Sequence, residues 1–110
     1  MNSPDDIPKL AKAIIREEAE QAGCEVKRIL LFGSRARGDA YKDSDWDFYV
    51  VVENEIPTRQ QEKIASQICW RLARQGVFSD VFVQSEKVVA ARKTNTGYLT
   101  YYALKDGLEL

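Results

Sequence analysis

The chain has 110 residues, 45% of them apolar and 30% charged, with 16 basic against 17 acidic side chains and a net charge of -1. A chain of this size buries roughly two-thirds of the surface its unfolded form exposes, so one globular domain over residues 1–110 is expected. The balanced charge argues against nucleic acid as a direct ligand, and the absence of histidine closes zinc sites and Ser-His-Asp or Cys-His catalysis.

The acidic N-terminus, MNSPDDIPKL, lacks the apolar core of a secretory leader, and no apolar run approaches the roughly 20 residues of a membrane span. Cys24 and Cys69 have no metal-ligand spacing. A cytoplasmic protein with two reduced thiols and no membrane partner is expected.

The first predicted element is a helix over about Asp6 to Ala22. Pro4 precedes it, Pro8 falls in its first turn, and Asp5 and Asp6 suit the positive end of its dipole. Ile7, Leu10, Ala11, Ile14 and Ile15 share one face, Glu17, Glu18 and Glu20 are expected in water, and Gly23 is a C-terminal stop. Val26 to Phe32 reads as a strand, and its dense run Ile29-Leu30-Leu31-Phe32 suits burial on both faces. Gly33 to Ala40 is a turn or short helix, Tyr41 to Ser44 a polar loop, and Asp45 to Glu53 a second strand.

A long helix is predicted from about Thr58 to Gln75, with Ile64, Ile68 and Leu72 as its buried stripe and Ala65, Cys69 and Ala73 as small residues beside them. Val77 to Gln84 is a third strand, interrupted by Ser79-Asp80. Residues 85–91 read as a short helix or an irregular connection. A last helix is expected from Thr94 or Asn95 to about Lys105, with Tyr98, Tyr101 and Tyr102 packing against the sheet. Strands joined by long helical connections indicate an α/β (α+β) fold, a small mixed sheet of three to four strands packed with helices.

The chemistry concentrates between Leu30 and Glu53. Alternate residues on a strand share a face. Asp45 and Asp47 therefore project together, while Trp46 and Phe48 point into a core. Parallel carboxylates repel, and a hard cation such as Mg²⁺ relieves that repulsion. Asp80 interrupts an apolar strand, where an isolated carboxylate is costly. If that strand lies beside the second, Asp80 joins the same acidic cluster, with Phe82 on its face and Val81 on the other. Gly33-Ser34 offers a close backbone approach and N–H donors to a phosphate, and Arg35 and Arg37 offer positive charge nearby. These parts fit nucleotidyl transfer, in which positioning and charge neutralisation do most of the catalysis.

Gly33-Ser34, ten residues, then Asp45-x-Asp47 resembles the signature of the nucleotidyltransferase superfamily whose fold is shared with DNA polymerase beta. The fuller GSRARGDAYKDSDWDFYVVVE resembles its minimal nucleotidyltransferase branch. The resemblance implies that Gly33 and Ser34 bind nucleotide phosphates, that Asp45 and Asp47 hold Mg²⁺, and that Asp80 is the third carboxylate, serving the metal and the acceptor. Arg35, Arg37 and Ser44 match motif positions on the nucleotide side. ATP is the implied donor. Minimal members often pair with an all-helical HEPN-type partner as antitoxins, adenylylating a tyrosine of that toxin. Alternatives remain open at this point: a non-catalytic antitoxin acting by complex formation, or transfer to a small molecule or RNA end. A homodimer also stays open.

Overall fold

The computed structural model describes residues 6–110, so the expectations placed on Pro4 and Asp5 lie outside the described residues. Helix α1 spans Ile7–Gln21, with proline in its first turn. Ala11, Ile14, Ile15 and Ala19 face the core as the helical spacing requires. Gly23 follows the helix at φ +78, a conformation that accommodates glycine without a Cβ clash. Glu18 differs from expectation. It is buried where α1 meets the long helix, within 4.0 Å of Arg71 Nη1, and the same guanidinium donates to Glu17 Oε2 at 2.7 Å.

Strand β1 is Val26–Phe32, the four-residue helix α2 is Ser34–Arg37, β2 is Trp46–Val52, α3 is Thr58–Arg74 and β3 is Ser79–Ser85. Helix α4 spans Glu86–Arg92, α5 Leu99–Asp106, and β4 Leu108–Glu109. The segment after Gln84 is thus helical, and the Ser85 hydroxyl caps it by accepting the Val88 N–H at 3.3 Å. The strands form one mixed sheet in the order β3-β2-β1-β4. Strands β1 and β2 run antiparallel and β2 and β3 parallel. Strand β4 completes the sheet beside β1, pairing Leu31 with Leu108 and Leu30 with Glu109.

Helices α1 and α3 cover one sheet face. Ile15, Ile68 and Leu72 pack there on Ile29, Trp46, Phe48, Val50 and Val81. The other face carries a smaller cluster of Leu30, Phe32, Tyr49 and Val51, roofed by Val89 and Ala103. Strands β1 and β2 are therefore buried on both faces, as their unbroken apolar runs require. No helix of the described residues is long and apolar enough to cross a membrane.

Helix α5 starts later than expected. Asn95 closes a turn instead, its Oδ1 accepting the Gly97 N–H at 2.8 Å and its carbonyl accepting the Tyr98 N–H at 3.1 Å. The tyrosines do not form the expected packing stripe. Thr100 and Ala103 are the buried residues of α5, whereas Tyr98 and Tyr102 are 41% and 46% exposed. Helical spacing sets this outcome: Thr100, Ala103 and Leu104 share the face toward the sheet, Tyr102 lies on the opposite face, and Tyr98 precedes the helix.

Candidate active site

Strand β1 ends at Phe32, and Gly33 turns the chain with φ +74 and ψ -159. Backbone of this kind is open essentially only to glycine. Its neighbour enforces the choice as well. A Cβ on Gly33 would stand 2.2 Å from Asp47 Oδ2. The Asp47 carboxylate therefore rests in the notch that the missing side chain leaves. The pairing of Phe32 with Asp47 brings this about, by setting the end of β1 against the start of β2.

On its other side Asp47 pairs in register with Asp80 of β3. The two strands are parallel, so the carboxylates project to the same face. Asp45 lies one residue before β2 and is exposed. Burial raises the Asp47 carboxyl above the ordinary aspartate range. The negative charges of Asp80 and Asp45 raise it further, and Arg37 partly offsets them. Asp80 and Asp45 thus both act electrostatically on Asp47 at the end of the sheet. Asp80 itself is exposed, not enclosed among apolar groups. Its charge is solvated and carries no burial cost, contrary to the expectation from its apolar strand. Its relevance comes from the register with Asp47, because β3 is an edge strand whose Asp80 side opens to solvent.

The turn after Gly33 begins α2, whose Ala36 and Arg37 N–H groups both return to the Gly33 carbonyl at 3.1 Å. The N–H groups of Ser34 and Arg35 precede the first bonds of the turn, as at any helix start. The motif cations separate. Arg37 faces Asp47 and pairs with Asp39 at 3.3 Å. Arg35 turns to the opposite face, where its Nη2 donates to the carbonyls of Ser44 at 2.8 Å and Lys42 at 3.1 Å. Its guanidinium lies 4.7 Å from the Trp46 ring centroid. Ser44 is also occupied, since its Oγ accepts the Tyr41 N–H at 2.8 Å. Arg35 and Ser44 together pin the loop that delivers Asp45.

Alternation along the strands puts an aromatic floor beside the carboxylates. Phe32 and Phe82 have ring centroids 6.0 Å apart, and Phe32 meets Tyr49 edge-on at 6.4 Å. The Tyr49 hydroxyl is held by Thr100 Oγ1 at 2.6 Å. Sequence reading placed Phe82 on the Asp80 face but missed Tyr49. The signal was available, because Tyr49 lies two residues beyond Asp47 and so shares its face.

The chemistry of the donor set suits a hard, oxygen-seeking cation. Among the described residues, however, no three acidic or cysteine side chains converge as a ready-made metal cage. A partial set of carboxylates fits an ion such as Mg²⁺, which is commonly held by one or two carboxylates together with substrate phosphates.

The family model for polymerase beta nucleotidyltransferases matches residues 12–107. The chain belongs to this nucleotidyltransferase family. Similar solved structures include a putative nucleotidyltransferase from Sulfolobus solfataricus, 26% identical, with a TM-score of 0.60 over 92% of this chain and 76% of that one. A toxin–antitoxin complex with AMP-PNP is 17% identical, with a TM-score of 0.58 over 89% of this chain and 70% of that one. A tri-AMPylated Shewanella oneidensis HEPN toxin in complex with MNT antitoxin is 16% identical, with a TM-score of 0.55 over 92% and 69%. These last two likenesses concern the fold. No curated protein matches the chain. Within this nucleotidyltransferase fold, the in-register aspartates and the Gly33 notch lie at one end of the sheet.

Proposed function

We propose that this family member transfers AMP from ATP to a protein hydroxyl in a Mg²⁺-dependent reaction, and that the acceptor is a tyrosine of an all-helical HEPN-type partner for which it is the antitoxin. The observation that carries the reading is the position of Asp47, set into the Gly33 notch and in register with Asp80. The family membership supports nucleotidyl transfer, and the toxin–antitoxin complexes of similar fold support the choice of partner.

In this reading Gly33 and Ser34 receive the triphosphate through backbone N–H groups and the Ser34 hydroxyl. Asp45 and Asp47 hold the metal, which when bound neutralises phosphate charge. Asp80 completes the set and takes the proton from the acceptor hydroxyl. The hydroxyl oxygen bonds to the α-phosphorus, the bond to the β-phosphate bridging oxygen breaks, and pyrophosphate leaves. Arg37 adds positive charge on the phosphate side. Arg35 and Ser44 act at one remove by fixing the loop before Asp45.

The test is incubation with labelled ATP, Mg²⁺ and the co-purified helical partner. Label on a partner tyrosine, abolished by Asp45→Asn or Asp47→Asn, is expected. An unlabelled partner, or labelling that persists in both variants, refutes the transferase reading. Neutralisation of the toxin by the doubly substituted chain would instead favour inhibition by complex formation.

A further inference from the structure

We propose that the free edge of β3 is the docking strand for the acceptor polypeptide, which adds to the sheet as an extended segment carrying basic residues. The occupant rests on the transferase reading above; the docking geometry rests on the edge itself. Strand β3 ends the sheet. Trp46 donates its N–H to the Phe78 carbonyl at 3.0 Å, and Trp46 is in register with Ser79. In a parallel ladder this turns the backbone groups of Asp80, Phe82 and Gln84 toward β2, and those of Ser79, Val81, Val83 and Ser85 outward.

The two ends of this outward row are closed by side chains. Cys69 Sγ donates to the Ser79 carbonyl at 3.4 Å, and Gln84 Oε1 accepts the Ser85 N–H at 3.0 Å while Gln61 Nε2 holds that amide oxygen at 2.9 Å. Between these caps the N–H and C=O of Val81 and Val83 have no strand beyond them among the described residues, although their side chains are buried against α3 and the two residues are only 8% and 7% exposed. Edge strands are commonly blunted by charge, proline or a covering element. Here the middle of the edge is left as a short hydrogen-bonding template, the feature that strand addition uses.

The surroundings select the occupant. Two hollows, of about 370 and 890 Å³, run along this edge and share Glu62, Ala65, Val81 and Phe82, so they form one groove. The larger hollow opens onto Asp45 and Asp80 and is walled by Trp70 and Phe78, which are 67% and 68% exposed. The larger hollow's charged lining residues are Asp45, Glu62 and Asp80, and the smaller adds one cation, Arg92, held 4.4 Å over the Tyr98 ring, so carboxylates outnumber cations along the groove. A basic segment complements that charge. Along an added strand side chains alternate between the faces. One set would reach the Asp80 face with its hydroxyl, and the other would lie against Trp70 and Ala73 on the α3 side.

The experiment uses the whole chain with a synthetic peptide, Lys-Val-Tyr-Val-Lys, read by amide exchange and chemical-shift mapping. The expected result is protection centred on the Val81 and Val83 amides, and binding weakened roughly tenfold when alternate peptide amides are N-methylated. Val83→Pro removes one outward donor on an edge, where proline is tolerated, and is expected to weaken peptide binding while leaving ATP binding unchanged. The N-methylated peptide gives the same answer on the unaltered chain if that variant fails to fold. Protection elsewhere, equal binding of the N-methylated peptide, or equal binding of Glu-Val-Tyr-Val-Glu would overturn the proposal. Self-association through Val81 and Val83 in place of peptide binding would overturn it in favour of a second copy. Peptide addition at this edge without ATP binding would uphold the docking site while refuting the transferase reading.

Discussion

Replacing Gly33 by alanine is the most direct perturbation of the proposed site. Two separate consequences follow from the structure. The backbone at φ +74 and ψ -159 lies outside the regions open to alanine, at a cost of about 1–3 kcal/mol. The new Cβ would also stand 2.2 Å from Asp47 Oδ2. The carboxylate is the movable partner, so it rotates away by about 1 Å, and a misplacement of that size at a reacting centre costs about 100-fold in rate. Gly23→Ala is the matched control, because Gly23 has φ +78 but nothing within 4 Å of an added Cβ. Urea unfolding and initial rates of AMP transfer separate the two effects. Both variants are expected to lose about 1–3 kcal/mol of stability, and only Gly33→Ala is expected to lose about 100-fold in transfer. If Gly33→Ala transfers AMP as fast as the unaltered chain, the notch does not position Asp47 for catalysis. Equal activity losses in the two variants would show that strain alone, not the contact with Asp47, is responsible.

Asp47→Asn is expected to raise the melting temperature of the metal-free protein at pH 7. Burial and the charges of Asp80 and Asp45 raise the folded-state pKa of Asp47 above its unfolded value, so its ionisation opposes folding as pH rises through the folded value. The advantage of the variant should therefore shrink as pH falls into the ordinary aspartate range, and melting scans in which the gap widens with acid would contradict this. Arg35→Ala should lower the melting temperature and raise the Mg²⁺ concentration needed for half-maximal transfer, with little rescue by lysine, because a point charge cannot reproduce the contacts to the Ser44 and Lys42 carbonyls and the Trp46 ring. Tyr49→Phe removes the 2.6 Å hydrogen bond to buried Thr100 and should cost about 1–3 kcal/mol in urea unfolding, with transfer retained because the ring and its contact with Phe32 remain.

Local pattern carried much of the fold. The apolar runs of β1 and β2, the helical stripes of α1 and α3, and the turn at Gly33 are properties of neighbouring residues, and a short window reads them. Strand β4 escaped such reading because two residues carry almost no periodicity. They become a strand only where Leu108 and Glu109 meet β1, and the ion pair between Glu109 and Arg28 lies at that junction. The start of α5 was misplaced because Asn95 satisfies both helix-capping and turn chemistry. Its bonds to Gly97 and Tyr98 decide for the turn.

The candidate site divides along the same line. Residue order alone puts Asp45 and Asp47 on one face, Trp46 and Phe48 on the other, and glycine and serine at the preceding turn. Those relations follow from strand alternation and sequence order. Long-range folding sets Asp80 in register with Asp47, gives the Gly33 side-chain space to that carboxylate, and turns Arg35 away while Arg37 stays near enough to act on Asp47. It also decided that Asp80 is exposed and that β3 forms an open edge. Register, edge position and exposure are set by which strands pair across long stretches of chain. No residue carries that information alone, because the partner's position supplies half of it.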